Sequence, residues 1–391
     1  MTIMSEMDKI IEKCTGCRLC VKECDFLQQY CNNPKELAEG FKAGKHRTNP
    51  EIPYSCNICS LCEVRCPEGL NVGKMCFEVR HQLVQEGLAP LQQHQPLKDA
   101  QDWYVSDAFK LALPATVASE TKRAFFPGCA LSAYSPDLVL KTYDYLQQKL
   151  PGTGIVLGCC GAPAYLIGEQ ARFQEIIDGI EADIIKMGAS EIIVACPYCC
   201  HALKQYLPHL NPRSLYTVLS EIGIPEVAET ERHTFSVHDP CSSRFENEMQ
   251  SSVRSLIEAS GHNIEEIEHS KGSTHCCGLG GMAFAVSSDL SRSKARRTID
   301  DARHDLVTYC ASCRGNLAAN GAHILHVLDL IFNDNEIERR FAPPADPSLA
   351  MDNQKHLKLR LLDRTRIEKP LETLPGKVDQ ESWRQLNNGV K

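Results

Sequence analysis

The chain has 391 residues, a length typical of two or three domains, and 43% of them are hydrophobic, so a sizeable core can be buried. Its formal net charge of −8 at pH 7 argues against nucleic acid as a general partner. No apolar run approaches the ~18 residues that span a membrane, and the acidic N-terminal segment does not resemble a secretory signal. We therefore expect a cytoplasmic protein, whose 21 cysteines indicate metal or redox chemistry.

Eight cysteines near the N-terminus form two runs with the spacing C-x2-C-x2-C-x3-C. In two-cluster ferredoxins with this spacing, the fourth cysteine of each run binds the cluster of the other run. The runs therefore predict two [4Fe–4S] cubane clusters. The ligands of the first cubane would be Cys14, Cys17, Cys20 and Cys66, and those of the second Cys56, Cys59, Cys62 and Cys24. Two zinc sites, each with four cysteine ligands, are the alternative that this spacing disfavours.

The sequence around the two runs indicates a helical domain over residues 1–88. Apolar residues recur at intervals of three and four, for example over residues 71–87. Asp25 stands where a proline usually follows the first run, while Cys31 and Cys76 fall outside both runs and are predicted to be buried bystanders. Residues 89–121 are interpreted as a linker with one helix near residues 99–113.

A second cysteine pattern occurs twice, in residues 122–225 (the first repeat) and 232–333 (the second repeat). In each repeat a single cysteine is followed after 29 or 34 residues by an adjacent pair, and after a further 35 or 32 residues by C-x2-C. Strands are predicted over residues 122–126, 154–158 and 191–195 of the first repeat and over residues 234–238, 264–268 and 305–309 of the second. They alternate with predicted helices, which indicates α/β halves with parallel sheets. The cysteines follow the predicted strands, less cleanly in the second repeat. We therefore expect the five thiols of each repeat to meet at the carboxyl ends of its strands, where open α/β sheets bind ligands.

The adjacent cysteines suit a cluster better than one small ion, because neighbouring side chains point apart. Gly161 and Gly278, which follow the pairs, permit a positive φ and close backbone approach. Five thiolates exceed the four that a cubane needs, which indicates an unusual cluster in each repeat.

Together, these motifs resemble the cysteine-rich CCG family over about residues 8–332. That family includes the catalytic B and D subunits of heterodisulfide reductase and the iron–sulfur subunits of glycolate, lactate and anaerobic glycerol-3-phosphate dehydrogenases. A helical two-cluster ferredoxin domain followed by two CCG halves is similar to the D subunit of heterodisulfide reductase, and the dehydrogenase subunits share that layout. The resemblance implies two noncubane [4Fe–4S] clusters with a disulfide substrate between them. The ligands it implies are Cys129, Cys159, Cys160, Cys196 and Cys199 for one cluster, and Cys241, Cys276, Cys277, Cys310 and Cys313 for the other.

The resemblance leaves two functions open. In the first, the chain is a catalytic oxidoreductase subunit that takes electrons from a flavoprotein or a membrane cytochrome b and reduces a disulfide. In the second, it is an electron-transfer subunit without its own substrate, serving a flavin-dependent hydroxy-acid or glycerol-3-phosphate dehydrogenase. Both imply a hetero-oligomer, in which a partner subunit could associate the chain with a membrane.

Several other features each have a functional and a structural interpretation. The segment 278–283 fits G-x-G-x-x-A, but the preceding cysteine pair explains its glycines better than dinucleotide binding does. Cys200 has no counterpart in the second repeat, where Arg314 stands, and is predicted to be a bystander. Four side chains near the predicted mouths could donate protons, although hydrogen bonding to cluster sulfurs is the simpler role. They are His201, His238, Arg244 and His275.

The segment 334–391 is a basic tail with a proline-rich break. It could dock an acidic partner or an anionic membrane surface, but a solvated helix or a partly disordered tail is the simpler expectation. Its basic character is clearest over residues 355–369, which carry Lys355, Lys358, Arg360, Arg364, Arg366 and Lys369 against Asp363 and Glu368.

Overall fold

The computed structural model describes residues 4–115, 120–226, 231–332 and 336–367. The chain divides into two compact units, Met1–Lys358 and Leu359–Lys391. Of the second unit, residues 359–367 are described, and they are helical. In the described part of the chain, no helix combines the length and apolar character needed to cross a membrane.

The N-terminal domain is helical, as the sequence predicts. Side chains that accept backbone N–H bonds fix the starts of its longer helices: Ser5 caps the first, Asn33 the fourth and Asn71 the eighth. The apolar faces of these helices bury Phe26, Phe41 and other residues in one core. The helices are α1 Glu6–Lys13, α2 Leu19–Lys22, α3 Asp25–Tyr30, α4 Pro34–Lys42, α5 Lys45–Thr48, α6 Glu51–Tyr54, α7 Leu61–Arg65 and α8 Val72–Gln85.

The predicted linker contains α9, Gln95–Val105, and then the strand β1, Leu111–Leu113. The single helix expected over residues 99–113 is therefore wrong in its second half. The helix ends where the Ser106 hydroxyl donates to the Trp103 carbonyl, and the following Leu-Ala-Leu pairs antiparallel with a strand of the first repeat. Residues 116–119 of the predicted linker lie outside the described residues.

The first repeat is built on a five-stranded sheet in the order β1-β3-β2-β4-β5, in which every pairing except that of β1 is parallel. Its three central strands were predicted, but β5 was not. The elements are β2 Arg123–Phe126, α10 Cys129–Tyr134, α11 Pro136–Lys149, β3 Thr153–Leu157, α12 Ala162–Ile167, α13 Gln170–Lys186, β4 Glu191–Val194, α14 Pro197–Tyr206, β5 Pro212–Ser214 and α15 Leu215–Ile222.

The second repeat has a four-stranded parallel sheet in the order β7-β6-β8-β9. The strand predicted over residues 264–268 is much shorter than expected, because the chain leaves the sheet after the Glu265 N–H donates to the Phe235 carbonyl. The elements are β6 Thr234–His238, α16 Asn247–Ala259, β7 Asn263–Ile264, α17 Ser288–Asp300, β8 Leu306–Thr308, α18 Ala311–Ala319, β9 Ile324–His326 and α19 Val327–Ile331.

The predicted tail contains the helix α20, Pro347–Ile367, whose first part packs on the first repeat. Gln354 is fully buried there, accepting a bond from Trp103 and donating one to the Cys129 carbonyl. Lys358 donates to the carbonyls of Asp107 and Lys110. The expectation of a solvated or disordered tail is therefore wrong for this part of the helix. Glu368 and Lys369 lie outside the described residues, as does the side chain of Arg366.

Candidate iron–sulfur centres

Two cavities in the N-terminal domain group the eight ferredoxin-type cysteines across the two runs. In each cavity, three cysteines of one run meet the fourth cysteine of the other run, as the spacing predicts. The first cavity is lined by Cys14, Cys17, Cys20 and Cys66, and the second by Cys56, Cys59, Cys62 and Cys24. Cys17 is exposed, so the first cavity lies at the surface.

Each repeat brings its five predicted cysteines into one connected group of thiols. In the first repeat the thiol contacts run in the order Cys129, Cys159, Cys160, Cys199 and Cys196. In the second repeat they run in the order Cys241, Cys276, Cys277, Cys313 and Cys310. Such a concentration of soft sulfur donors is the ligand type that iron–sulfur clusters select.

Two further thiol contacts join these groups. Cys59 of the N-terminal domain contacts Cys276 of the second repeat, and Cys310 of the second repeat contacts Cys196 of the first. The second cavity and both repeats therefore form one continuous series of thiols. This series begins at the second cavity, continues through the thiols of the second repeat and ends at those of the first repeat.

Local backbone structure places the paired C-x2-C cysteines in the same way in both repeats. Cys196 and Cys310 are N-cap residues, each separated by one residue from the end of a sheet strand, and Cys199 and Cys313 lie in the first turn of the helix that follows. A thiolate at a helix N-terminus is stabilised by the free backbone N–H groups. In both repeats, the N-terminus of a helix can therefore stabilise the thiolate forms of the C-x2-C cysteines.

The glycine after each adjacent cysteine pair has a left-handed backbone, as predicted. Gly161 has φ +81°, and its N–H donates to the Cys159 sulfur at 3.4 Å. Gly278 has φ +95°, and a Cβ there would overlap the Ser291 carbonyl oxygen. Only glycine lets the chain turn back on the cysteines at this close approach.

Three buried cations surround the loop of the second run. The Arg80 guanidinium donates to the Cys56 carbonyl at 2.6 Å, and that of Arg244 to the Cys59 carbonyl at 2.8 Å. Lys294 is 7% exposed and donates to the side chain of Asn57. No carboxylate in the described part of the chain forms an ion pair with any of the three. Because buried charges need a counter-charge, a thiolate-bound cluster, which is anionic, fits this site.

Asp25, the departure from the ferredoxin pattern, ties the N-terminal domain to the second repeat. Its carboxylate pairs with Arg297 and accepts from the Ser293 hydroxyl at 2.9 Å, and both of those residues lie on α17. Asn57 adds a second tie, since its Nδ2 donates to the carbonyls of Gly278 and Gly280 at 2.7 and 2.9 Å. The glycines of segment 278–283 therefore serve a contact within the chain.

The four side chains suspected of proton transfer have different positions. Arg244 is a structural residue, because it is bound to three backbone carbonyls. His201 is exposed, while His275 stacks on His269 with ring centroids 3.8 Å apart. His238 is fully buried against Cys277 and Cys313, and burial lowers its pKa to about 4, so its ring is neutral at pH 7.

Sequence reasoning missed His326 and Tyr216, which lie near the joint between the two repeats. Burial lowers the pKa of His326 to about 3, and its Nδ1 accepts from the Leu328 N–H, so the neutral ring carries its proton on Nε2. That Nε2 lies 3.5 Å from the Tyr216 hydroxyl, which donates to the Tyr309 carbonyl. His326 could have been predicted from its position at the end of β9, where a ligand site is expected, but that strand was not predicted.

The three cysteines predicted to be bystanders lie outside the two five-cysteine groups of the repeats, although one of them, Cys76, contacts a cysteine of the second run. Cys200 is buried, and burial raises the pKa of its thiol to about 12. Cys31 is half-buried and donates to the Leu27 carbonyl. Cys76 is fully buried but contacts Cys56 of the second run. Arg314, the counterpart of Cys200, donates to backbone carbonyls.

Comparison with known proteins defines the class to which this architecture belongs. A family described as a 4Fe-4S dicluster domain matches residues 13–71, and one described as a cysteine-rich domain, CCG, matches residues 123–204 and again 235–318. The chain is an iron–sulfur protein with a ferredoxin-type domain followed by two CCG domains, which confirms the predicted fold class.

Similar proteins with known roles lie at low identity. The chain is 26% identical over 324 residues to the D subunit of the dihydromethanophenazine:CoB–CoM heterodisulfide reductase of Methanosarcina barkeri, covering 73% of this chain and 75% of that protein. It is 25% identical to the corresponding D subunit of Methanosarcina acetivorans, covering 78% and 88%. It is also 24% identical to the EtfAB:quinone oxidoreductase of Syntrophomonas wolfei, covering 67% of this chain but 42% of that protein. These similarities support an oxidoreductase-type role in electron transfer.

Proposed function

We propose that the chain is the disulfide-reducing subunit of a larger oxidoreductase, receiving single electrons from a redox partner subunit. Two cubane clusters would be held by the N-terminal domain and two noncubane clusters by the repeats. When bound, the clusters supply one-electron steps. The proposed ligands are the eighteen cysteines of the two cavities and the two connected thiol groups described above.

The observation that carries this proposal is the unbroken series of thiols that ends in two complete five-cysteine groups facing each other. The first cavity is not part of this series, but its Cys17 is exposed, so a partner could deliver electrons there. From the second cavity, the Cys59–Cys276 contact leads to the second repeat, and the Cys310–Cys196 contact leads to the first. A disulfide at this last joint would meet electron donors on both sides.

Reduction of a disulfide consumes two electrons and two protons, breaks the S–S bond and yields two thiols. The redox partner would supply the two electrons, one at a time. The two protons would come from solvent. Tyr216 and His326, two neutral, buried groups near Cys196, are hydrogen-bonded to each other and could hydrogen-bond a departing sulfur.

A second candidate function is electron transfer without a substrate. The similarity to the EtfAB:quinone oxidoreductase favours it, since that protein's name assigns it electron transfer to a quinone. In this case, the same thiol series would serve as a path between a flavoprotein and the quinone side of a complex.

An anaerobic assay with the full, iron-loaded chain separates the two functions. Reduced viologen would supply electrons to a panel of disulfides that includes the CoM–CoB heterodisulfide named for the relatives. We expect steady viologen oxidation with at least one disulfide, two viologens being oxidised for each disulfide. Cys310→Ser should lower this rate to background, whereas Cys200→Ser should leave it unchanged.

The opposite result has a clear signature. A fully iron-loaded chain that reoxidises with a quinone or a flavoprotein, but turns over with no disulfide, would overturn the reductase proposal in favour of electron transfer alone.

A further inference from the structure

Lys294 is a buried lysine at the junction between the N-terminal domain and the second repeat. It lies on α17 and lines the cavity that holds Cys24 and Cys59, together with Cys276 of the second repeat. The same three thiols are its main electrostatic partners. One ammonium group therefore faces ligands proposed for two different clusters.

The charge of Lys294 has no carboxylate counterpart among the described residues. Its hydrogen-bond acceptor is the Asn57 Oδ1. The amide of Asn57 is oriented by its own bonds to the Gly278 and Gly280 carbonyls, so its oxygen points to the lysine. A neutral amide does not balance a buried ammonium, whose removal from water costs several kcal/mol. The missing negative charge must come from the thiolate-bound groups on either side.

We propose that Lys294 is a positioning residue that keeps a fixed positive charge between the second cubane and the cluster of the second repeat. It thereby raises the reduction potentials of both centres relative to the first cubane. This inference rests on the proposed function, since it assumes clusters in the second cavity and the second repeat.

The first cubane site differs in its surroundings. Its cavity is lined by one basic and one acidic side chain, Arg18 and Glu68, and both are exposed to solvent, as is Cys17, so these charges are screened. The electrostatic partners of the buried Cys20 are the other three cysteines of the same site. An electron delivered at the surface would therefore move towards the more positive junction at Lys294. Because the first cubane lies away from Lys294, its reduction potential serves as an internal reference within each molecule.

The test is an EPR-monitored redox titration of the full, iron-loaded chain and of Lys294→Met. Methionine has a similar length but no charge. We expect the midpoint potentials of the second cubane and of the second-repeat cluster to fall, while that of the first cubane stays constant. We expect the difference in midpoint potential between the two cubanes to change by about 59 mV or more. For a one-electron couple, this corresponds to a change of about tenfold or more in the equilibrium constant for electron transfer between them.

Two matched variants control for charge and for folding. Arg292→Met removes one positive charge from the exposed face of the same helix and should shift no potential. Lys294→Arg keeps the charge and should keep the second cubane at a potential close to that of the native chain. If Lys294→Met loses iron, retention of iron in Lys294→Arg supports the charge role, and equal loss in both variants overturns it.

The failure of this inference can be told apart from failure of the proposed function. Four clusters with potentials unchanged in Lys294→Met would overturn the role of Lys294 alone. If the native chain lacked the clusters, or turned over no disulfide, the proposed function itself would fail.

Discussion

Replacing both Cys159 and Cys160 with serine should remove the cluster of the first repeat, with a loss of about four irons per chain. The pair lies in the middle of the connected thiol group, and both side chains are buried. The double substitution leaves three thiols in that repeat, fewer than the four that a cubane needs. Disulfide reduction should stop, because the far end of the thiol series is lost. Anaerobic iron and sulfide analysis measures the effect.

A matched double variant, Cys31→Ser with Cys200→Ser, removes the same number of thiols outside the connected groups. It should keep the full iron content and the native rate. The cluster assignment would be contradicted if this control lost as much iron as the Cys159/Cys160 variant, or if that variant kept all its iron.

Replacing Arg80 with methionine should lower the free energy of unfolding by at least about 3 kcal/mol, since it leaves buried carbonyls without a donor. The fully buried guanidinium donates to the carbonyls of Pro53 and Cys56, and also to those of Leu166 and Gly281. Leu166 belongs to the first repeat and Gly281 to the second, so one side chain joins all three domains. Anaerobic urea unfolding, followed by circular dichroism and cluster absorbance, measures the loss.

The control for this prediction is Arg47→Met, which removes an exposed ion pair with Glu86 in the same domain. Surface ion pairs contribute little, so its urea midpoint should stay close to that of the native chain. Equal midpoints for the Arg80 and Arg47 variants would show that the buried guanidinium does not stabilise the junction.

Cysteine spacing predicted most of the candidate centres because ligand spacing is set locally. Three cysteines two residues apart must share one site, and the fourth ligand follows from the ferredoxin pattern, so the cavities group the cysteines as expected. The central strands were predictable from apolar runs such as residues 191–195. The left-handed backbone of Gly161 and Gly278 was predictable because each follows an adjacent cysteine pair, which needs a tight turn.

The contacts between domains could not be predicted, because they depend on tertiary packing. Nothing in the sequence near Lys294 distinguishes it from the solvated charges of the same helix, and its role depends on Asn57, which is distant in sequence. The substitution of Asp25 for proline was visible, but its partner Arg297 was not. The strands β1, β5 and β9 have three residues each, too few to show a period, and were missed. The equally short β8 was predicted because it lies in the segment 305–309, directly before Cys310.

The most direct test of the account is the metal content of the full chain, prepared without oxygen in a host that assembles iron–sulfur clusters. Four clusters predict about sixteen irons, about as many sulfides, and little zinc per chain. The same preparation, reduced stepwise, should show EPR signals from the cubane sites and from further, distinct centres. A preparation that contained zinc in place of iron, or no metal, would contradict the assignment of all eighteen cysteines.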